Sequence, residues 1–77
     1  MIRAHQVSVT QRAYLREDGT ERRVNRVTAM FGSLHLCCDA DAYSIKLAKG
    51  LADDHQATFY YDEHTQDLVR QVLGVNV

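Results

Sequence analysis

Proline and tryptophan are absent from this 77-residue chain, and phenylalanine occurs only twice. Without proline, no segment carries the rigid breaks that mark linkers or edge-protecting kinks. With so few large aromatics the core must be built from aliphatic side chains, and a core of that size leaves little room for an enclosed substrate pocket. The two cysteines, Cys37 and Cys38, are neighbours. Their Cα atoms lie about 3.8 Å apart, short of the range of about 4.4–6.8 Å that a relaxed disulfide spans, which predicts a reduced, cytoplasmic protein. No apolar run approaches the roughly 20 residues of a membrane span. The opening "MIRAHQVSVTQR" has no apolar stretch of signal-peptide length.

Charge is nearly balanced, at −1, but unevenly placed. Residues 1–38 hold six arginines against Glu17, Asp18 and Glu21, a net of +3. Residues 39–77 hold Lys46, Lys49 and Arg70 against seven acids, a net of −4. A basic half followed by an acidic half speaks to binding partners more than to fold.

The chain reads as one domain, residues 1–77, of the α+β class, ordered β-β-β-α-β-α. A mixed four-stranded sheet with both helices on one face is expected. The first two strands form a hairpin about Asp18-Gly19, a dipeptide suited to a type I′ turn. That turn pairs Arg16 with Glu21, Ala13 with Val24, Val9 with Thr28 and Val7 with Met30. Val7, Val9, Ala13, Leu15, Val24 and Met30 then face the core, and Val27, Ala29 and Phe31 emerge on the opposite face as a surface for a homodimer. A helix over residues 24–31, stopped by Gly32, competes with the second strand.

"LHLCC" follows as a short strand with Leu34, Leu36 and Cys38 inward. "DADAYSIKLAKGLADD" is helical, capped by Asp39 or Asp41, with an apolar arc wide enough for burial on more than one side. "ATFYYD" is the fourth strand, and "TQDLVRQVLG" a closing helix with Gly74 at its stop.

Three constellations carry chemistry. His35, Cys37 and Asp39 share one strand face, but a structural zinc takes four ligands from spaced pairs, and that spacing is missing. The cysteines therefore read as small core hydrophobes. The second constellation is acidic. With the third and fourth strands parallel, their carboxyl ends bring Asp39 and Asp41 towards Asp62, Glu63 and His64, and Asp53 and Asp54 extend the acidic surface. Such an edge suits a basic partner, and more remotely a Mg²⁺-dependent enzyme. The third is the basic hairpin, Arg12, Tyr14, Arg16, Arg22 and Arg23, whose chemistry suits nucleic acid. No nucleophile–base pair or phosphate loop is visible, so a non-catalytic protein without cofactor or metal is expected.

Residues 39–54, "DADAYSIKLAKGLADD", resemble the helix-opening stretch of a small phage anti-CRISPR family directed at type I-F complexes. The shared features are an acidic D-A-D cap, S-I-K and a following acidic pair, over 16 of the 77 residues. The resemblance implies an inhibitor whose acidic residues occupy a DNA-binding surface on a protein or ribonucleoprotein complex. This chain departs from that family in the six arginines of its first half. A small interaction protein is the leading expectation, and a nucleic-acid-binding regulator the alternative.

Overall fold

Alternation of apolar and polar residues dictates three successive strands, and the computed structural model, which describes residues 3–74, contains them. They are β1 (Gln6–Leu15), β2 (Glu21–Phe31) and β3 (Leu34–Asp39), followed by α1 (Ala42–His55), β4 (Thr58–Tyr61) and α2 (Gln66–Leu73). The sheet order is β3-β2-β1-β4. β1–β2 and β2–β3 are antiparallel, and β4 returns beside β1 in parallel. Residues 24–31 are strand throughout, not helix. No helix among the described residues is long and apolar enough to cross a membrane.

The β1–β2 register differs by one residue from the expected one. Val7 pairs with Ala29, Val9 with Val27, Ala13 with Arg23 and Leu15 with Glu21. The cause lies in the turn. The Gly19 N–H donates to the Arg16 carbonyl at 3.0 Å and the Arg16 N–H to the Thr20 carbonyl at 2.7 Å, with Gly19 at φ 88°. Glu17, Asp18 and Gly19 thus make a three-residue loop closed by a left-handed glycine, not a two-residue turn. Asp18 stabilises it by accepting from the Thr20 N–H at 3.0 Å and hydroxyl at 2.6 Å.

One extra loop residue turns every β2 side chain to the other face. Val27, Ala29 and Phe31 join Val7 and Val9 on the helix face, so the homodimer surface expected of them is corrected: Val27 and Ala29 are buried core residues. Val24 and Met30 move to the helix-free face, and Ala13 and Leu15 lie exposed on the projecting part of β1. Beneath α1 the core is closed by Ile45, Ala48 and Ala52, and α2 contributes Val69.

Asp41, rather than Asp39, caps α1. Its carboxylate accepts from the Ser44 N–H at 2.7 Å, and the Ser44 hydroxyl accepts from the Asp41 N–H at 2.8 Å, a reciprocal box. Those bonds from Ser44 hold the Asp41 carboxyl below its ordinary range. The apolar arc of α1 is buried on one side only. Leu47 is 56% exposed and Tyr43 72%.

Beyond Gln11 and Asn25 the hairpin projects from the domain as a bare two-stranded ribbon, exposed on both faces.

Candidate functional site

Strand parity decides which side chains share a surface. Even-numbered residues of β1 and β2 face away from the helices, which sets Arg12, Tyr14 and Arg16 beside Arg22, Val24 and Arg26. Tyr14 lies directly across from Arg22, and Arg12 from Val24. Arg23, expected on this surface, lies on the opposite one, where its Nε donates to Glu21 at 3.0 Å. The Arg16–Glu21 pair expected across the turn does not form, because the register places Thr20 opposite Arg16.

The exchange makes the helix-free face more basic. Arg26 reaches across to β3, donating from Nη1 to Asp39 at 2.8 Å and from Nε and Nη2 to the Cys37 sulfur at 3.3 and 3.2 Å. Arg12, Arg16 and Arg22 make no ion pair among the described residues. A polar cavity of about 400 Å³ opens between Tyr14, Arg16, Arg22, Val24, Arg26 and Asp39. Guanidinium groups around a concave polar surface are suited to phosphate or carboxylate oxygens.

The cysteines are not core. Both are exposed, because β3 is an edge strand that no helix among the described residues covers. Leu34 and Leu36 are likewise 57% and 53% exposed, against the inward placement expected of them. His35, Cys37 and Asp39 do share one face, opposite Met30, Thr28 and Arg26. The Thr28 hydroxyl at 3.5 Å and the Arg26 guanidinium lower the Cys37 thiol below its ordinary range, against the opposing effect of burial. The pairing of Arg26 with this strand was not legible in the sequence, since it depends on the registers of two hairpins at once.

The acidic edge is dispersed. β3 and β4 are parallel but occupy opposite edges of the sheet, three strand spacings or about 14 Å apart. Asp39 and Asp41 therefore stand on one shoulder of the ribbon, and Asp62 and Glu63 on the other. Asp53 and Asp54 lie at the far end of α1, where Asp53 accepts from Lys49 at 2.6 Å. Among the described residues no three His, Cys, Asp or Glu side chains gather to hold a metal ion.

Asp62 has an architectural task. Its carboxylate accepts from the Gln11 N–H at 2.9 Å and the Thr65 N–H at 3.0 Å, and from the Thr65 hydroxyl at 3.0 Å. Thr65 is fully buried, and its single hydroxyl proton is shared between that carboxylate and the Val9 carbonyl at 2.7 Å. Burial opposes the charged form of Asp62, yet the donors from Gln11 and Thr65 outweigh it and hold the carboxyl below its ordinary range. Its contribution to stability is therefore complete above the unfolded value, about pH 3.9, and lost as pH falls through the lower folded value. Asp62→Ala should cost about 1.5–3 kcal/mol at neutral pH by stranding those donors. Urea titrations at pH 7 and pH 3 should show the gap between variant and wild type narrowing at the lower pH.

Comparison with models of known protein families, with curated proteins and with solved structures returned no match.

Proposed function

We propose that this chain is a non-catalytic binding module that engages single-stranded nucleic acid, free or within a ribonucleoprotein, along the helix-free face of its hairpin ribbon. The observation that carries this reading is the one-sided arginine array: Arg12, Arg16, Arg22 and Arg26 around Tyr14, three of the four without an ion pair among the described residues. Single strands bind where cationic side chains follow the backbone and an aromatic ring offers a base a stacking partner, and Tyr14 is 47% exposed at the centre of this array.

The chain's mild acidity opposes nucleic-acid binding only where unpaired acids share the surface, and the one acid in its cavity, Asp39, is paired. Glu21 faces the other way and is paired with Arg23. Asp39 is neutralised by Arg26, and Asp62 is occupied by backbone donors. Glu17 and Asp18 crown the loop at the tip. The ribbon therefore meets a phosphate backbone along its face and not end-on.

The inhibitor reading implied by the resemblance of α1 draws on acidic residues assembled into one surface. With Asp39 and Asp41, Asp62 and Glu63, and Asp53 and Asp54 in three separate places, it gains no support from this geometry.

Fluorescence anisotropy with labelled single-stranded DNA and RNA tests the proposal. Three phosphate contacts, from Arg12, Arg16 and Arg22, predict a slope of log K against log salt of about −2.1, an affinity loss of about 20-fold between 50 and 200 mM salt. Absence of binding to either strand at low ionic strength would overturn it. Preference for duplex over single strands would also count against it.

A further inference from the structure

At β3 the sequence pattern and its surroundings disagree. Leu34, Leu36 and Cys38 alternate like an inward-facing strand, yet all three stand exposed among the described residues. Beside them α1 presents Leu47 and Leu51, and with Val27 and Ala29 these side chains wall an apolar groove of about 340 Å³. The strand's backbone is open too. The Ala40 N–H donates to the Asn25 carbonyl at 2.8 Å, so by the alternation of an antiparallel ladder Leu34, Leu36 and Cys38 bond towards β2. The N–H and C=O groups of His35, Cys37 and Asp39 are left pointing outward. An edge without proline or lysine is a template for another strand.

We propose that two copies of this chain join here, β3 against β3 in antiparallel, about a two-fold axis through Cys37. The edge is complementary to itself in hydrogen-bonding groups. His35 and Asp39 stand two residues on either side of Cys37 on the same face, so the axis sets each His35 opposite the partner's Asp39. Arg26 occupies only Oδ1 of Asp39, which leaves Oδ2 to accept from that imidazole. On the helix face Leu36 meets the partner's Cys38, and the Leu47 stripes of the two α1 helices close over the seam. A shift of the axis to Leu36 would set Asp39 opposite Ser33 and lose both His35–Asp39 hydrogen bonds.

The product is a continuous sheet of twice four strands, with all helices on one side. The groove that stands open in one copy becomes interior in two. This assembly does not depend on what the arginine face binds.

Light scattering coupled to size exclusion should give twice the 8.8 kDa chain mass at tens of micromolar. Cys37→Pro removes an N–H that points away from β2, so the intramolecular ladder survives and the variant should be monomeric with an unchanged far-UV spectrum. Leu36→Glu, at a position exposed in one copy, should have the same effect and carries the test if the proline variant does not fold. The hydrogen-bonded pair at the axis sets the Cys37 Cα atoms about 5.5 Å apart, within disulfide range. With the oxidant diamide, Cys38→Ser should cross-link through Cys37, whereas Cys37→Ser should not cross-link. A wild-type monomer at millimolar concentration would overturn the proposal. A folded Leu36→Glu dimer, or cross-linking through Cys38, would do so as well.

Discussion

Replacing Arg12, Arg16, Arg22 and Arg26 together by alanine should lower affinity for single-stranded nucleic acid on the order of several hundred-fold at 50 mM salt, with the salt slope falling from about −2.1 towards zero. The two effects belong together, because counterions released from the phosphates that the three unpaired arginines neutralise supply both. The substitutions should leave the fold in place. Arg12, Arg16 and Arg22 hold no ion pair among the described residues, and Arg26 bonds to side chains on an exposed strand. Tyr14→Ala separates the second component. Losing one stacked base should cost about 1–3 kcal/mol while the slope stays near its wild-type value. Anisotropy titrations at several salt concentrations, with circular dichroism on each variant, read both quantities. A quadruple variant that folds and binds like wild type would remove the arginine face from consideration.

Ile45→Ala should remove a large part of the stability of the domain. Ile45 has 0% of its surface exposed and packs from α1 into the same buried cluster as Val7 and Val9 of β1. Truncating a fully buried isoleucine costs about 2–5 kcal/mol, the lost transfer energy plus the cavity it leaves. A domain of this size has only about 4–12 kcal/mol in hand, so the variant stands at the edge of unfolding at 37 °C. Ile45→Val, which removes one methylene, should cost about 0.5–1.5 kcal/mol. Leu47→Ala, close by on the same helix but 56% exposed, should lie within about 0.5 kcal/mol of wild type in the isolated chain. Urea unfolding midpoints would rank the three. Equal losses at Ile45 and Leu47 would contradict the one-sided burial of α1.

The element order was readable from periodicity because it is a local property. The run Val7–Val9 and the β-branched and aromatic residues of β4 pleat, whereas Ile45, Ala48 and Ala52 recur at helical spacing. The cap of α1 was readable to within two residues, since Asp39 and Asp41 both have the chemistry and only Asp41 stands three residues before Ser44. The hairpin register was not readable. Asp-Gly serves a two-residue turn with Gly in second place and a three-residue turn with Gly in third equally well, and the difference of one residue exchanges Arg23 and Asn25 for Arg22 and Arg26 on the basic face.

The acidic site was misplaced for a different reason. A strand–helix–strand unit indicates parallel strands but not adjacent ones, and β4 entered the sheet beside β1, with β1 and β2 between it and β3. That choice scattered the carboxylates and left β3 as an edge.

The amino-acid sequence by itself determined the order of the elements apart from the choice of strand or helix over residues 24–31, the start of α1 to within two residues, and the basic excess of the first half over the acidic second, because each of these follows from side chains within a few residues of one another. Tertiary structure alone decided which arginines share a face, that Leu34, Leu36 and both cysteines lie open, and that Asp62 anchors β1 instead of joining Asp39. Those outcomes depend on a turn of three residues in place of two and on the order of strands in the sheet. The turn is closed by its own bonds over residues 16–20, but the strand order is settled by packing between residues about fifty positions apart, as the Asp62–Gln11 and Thr65–Val9 bonds record.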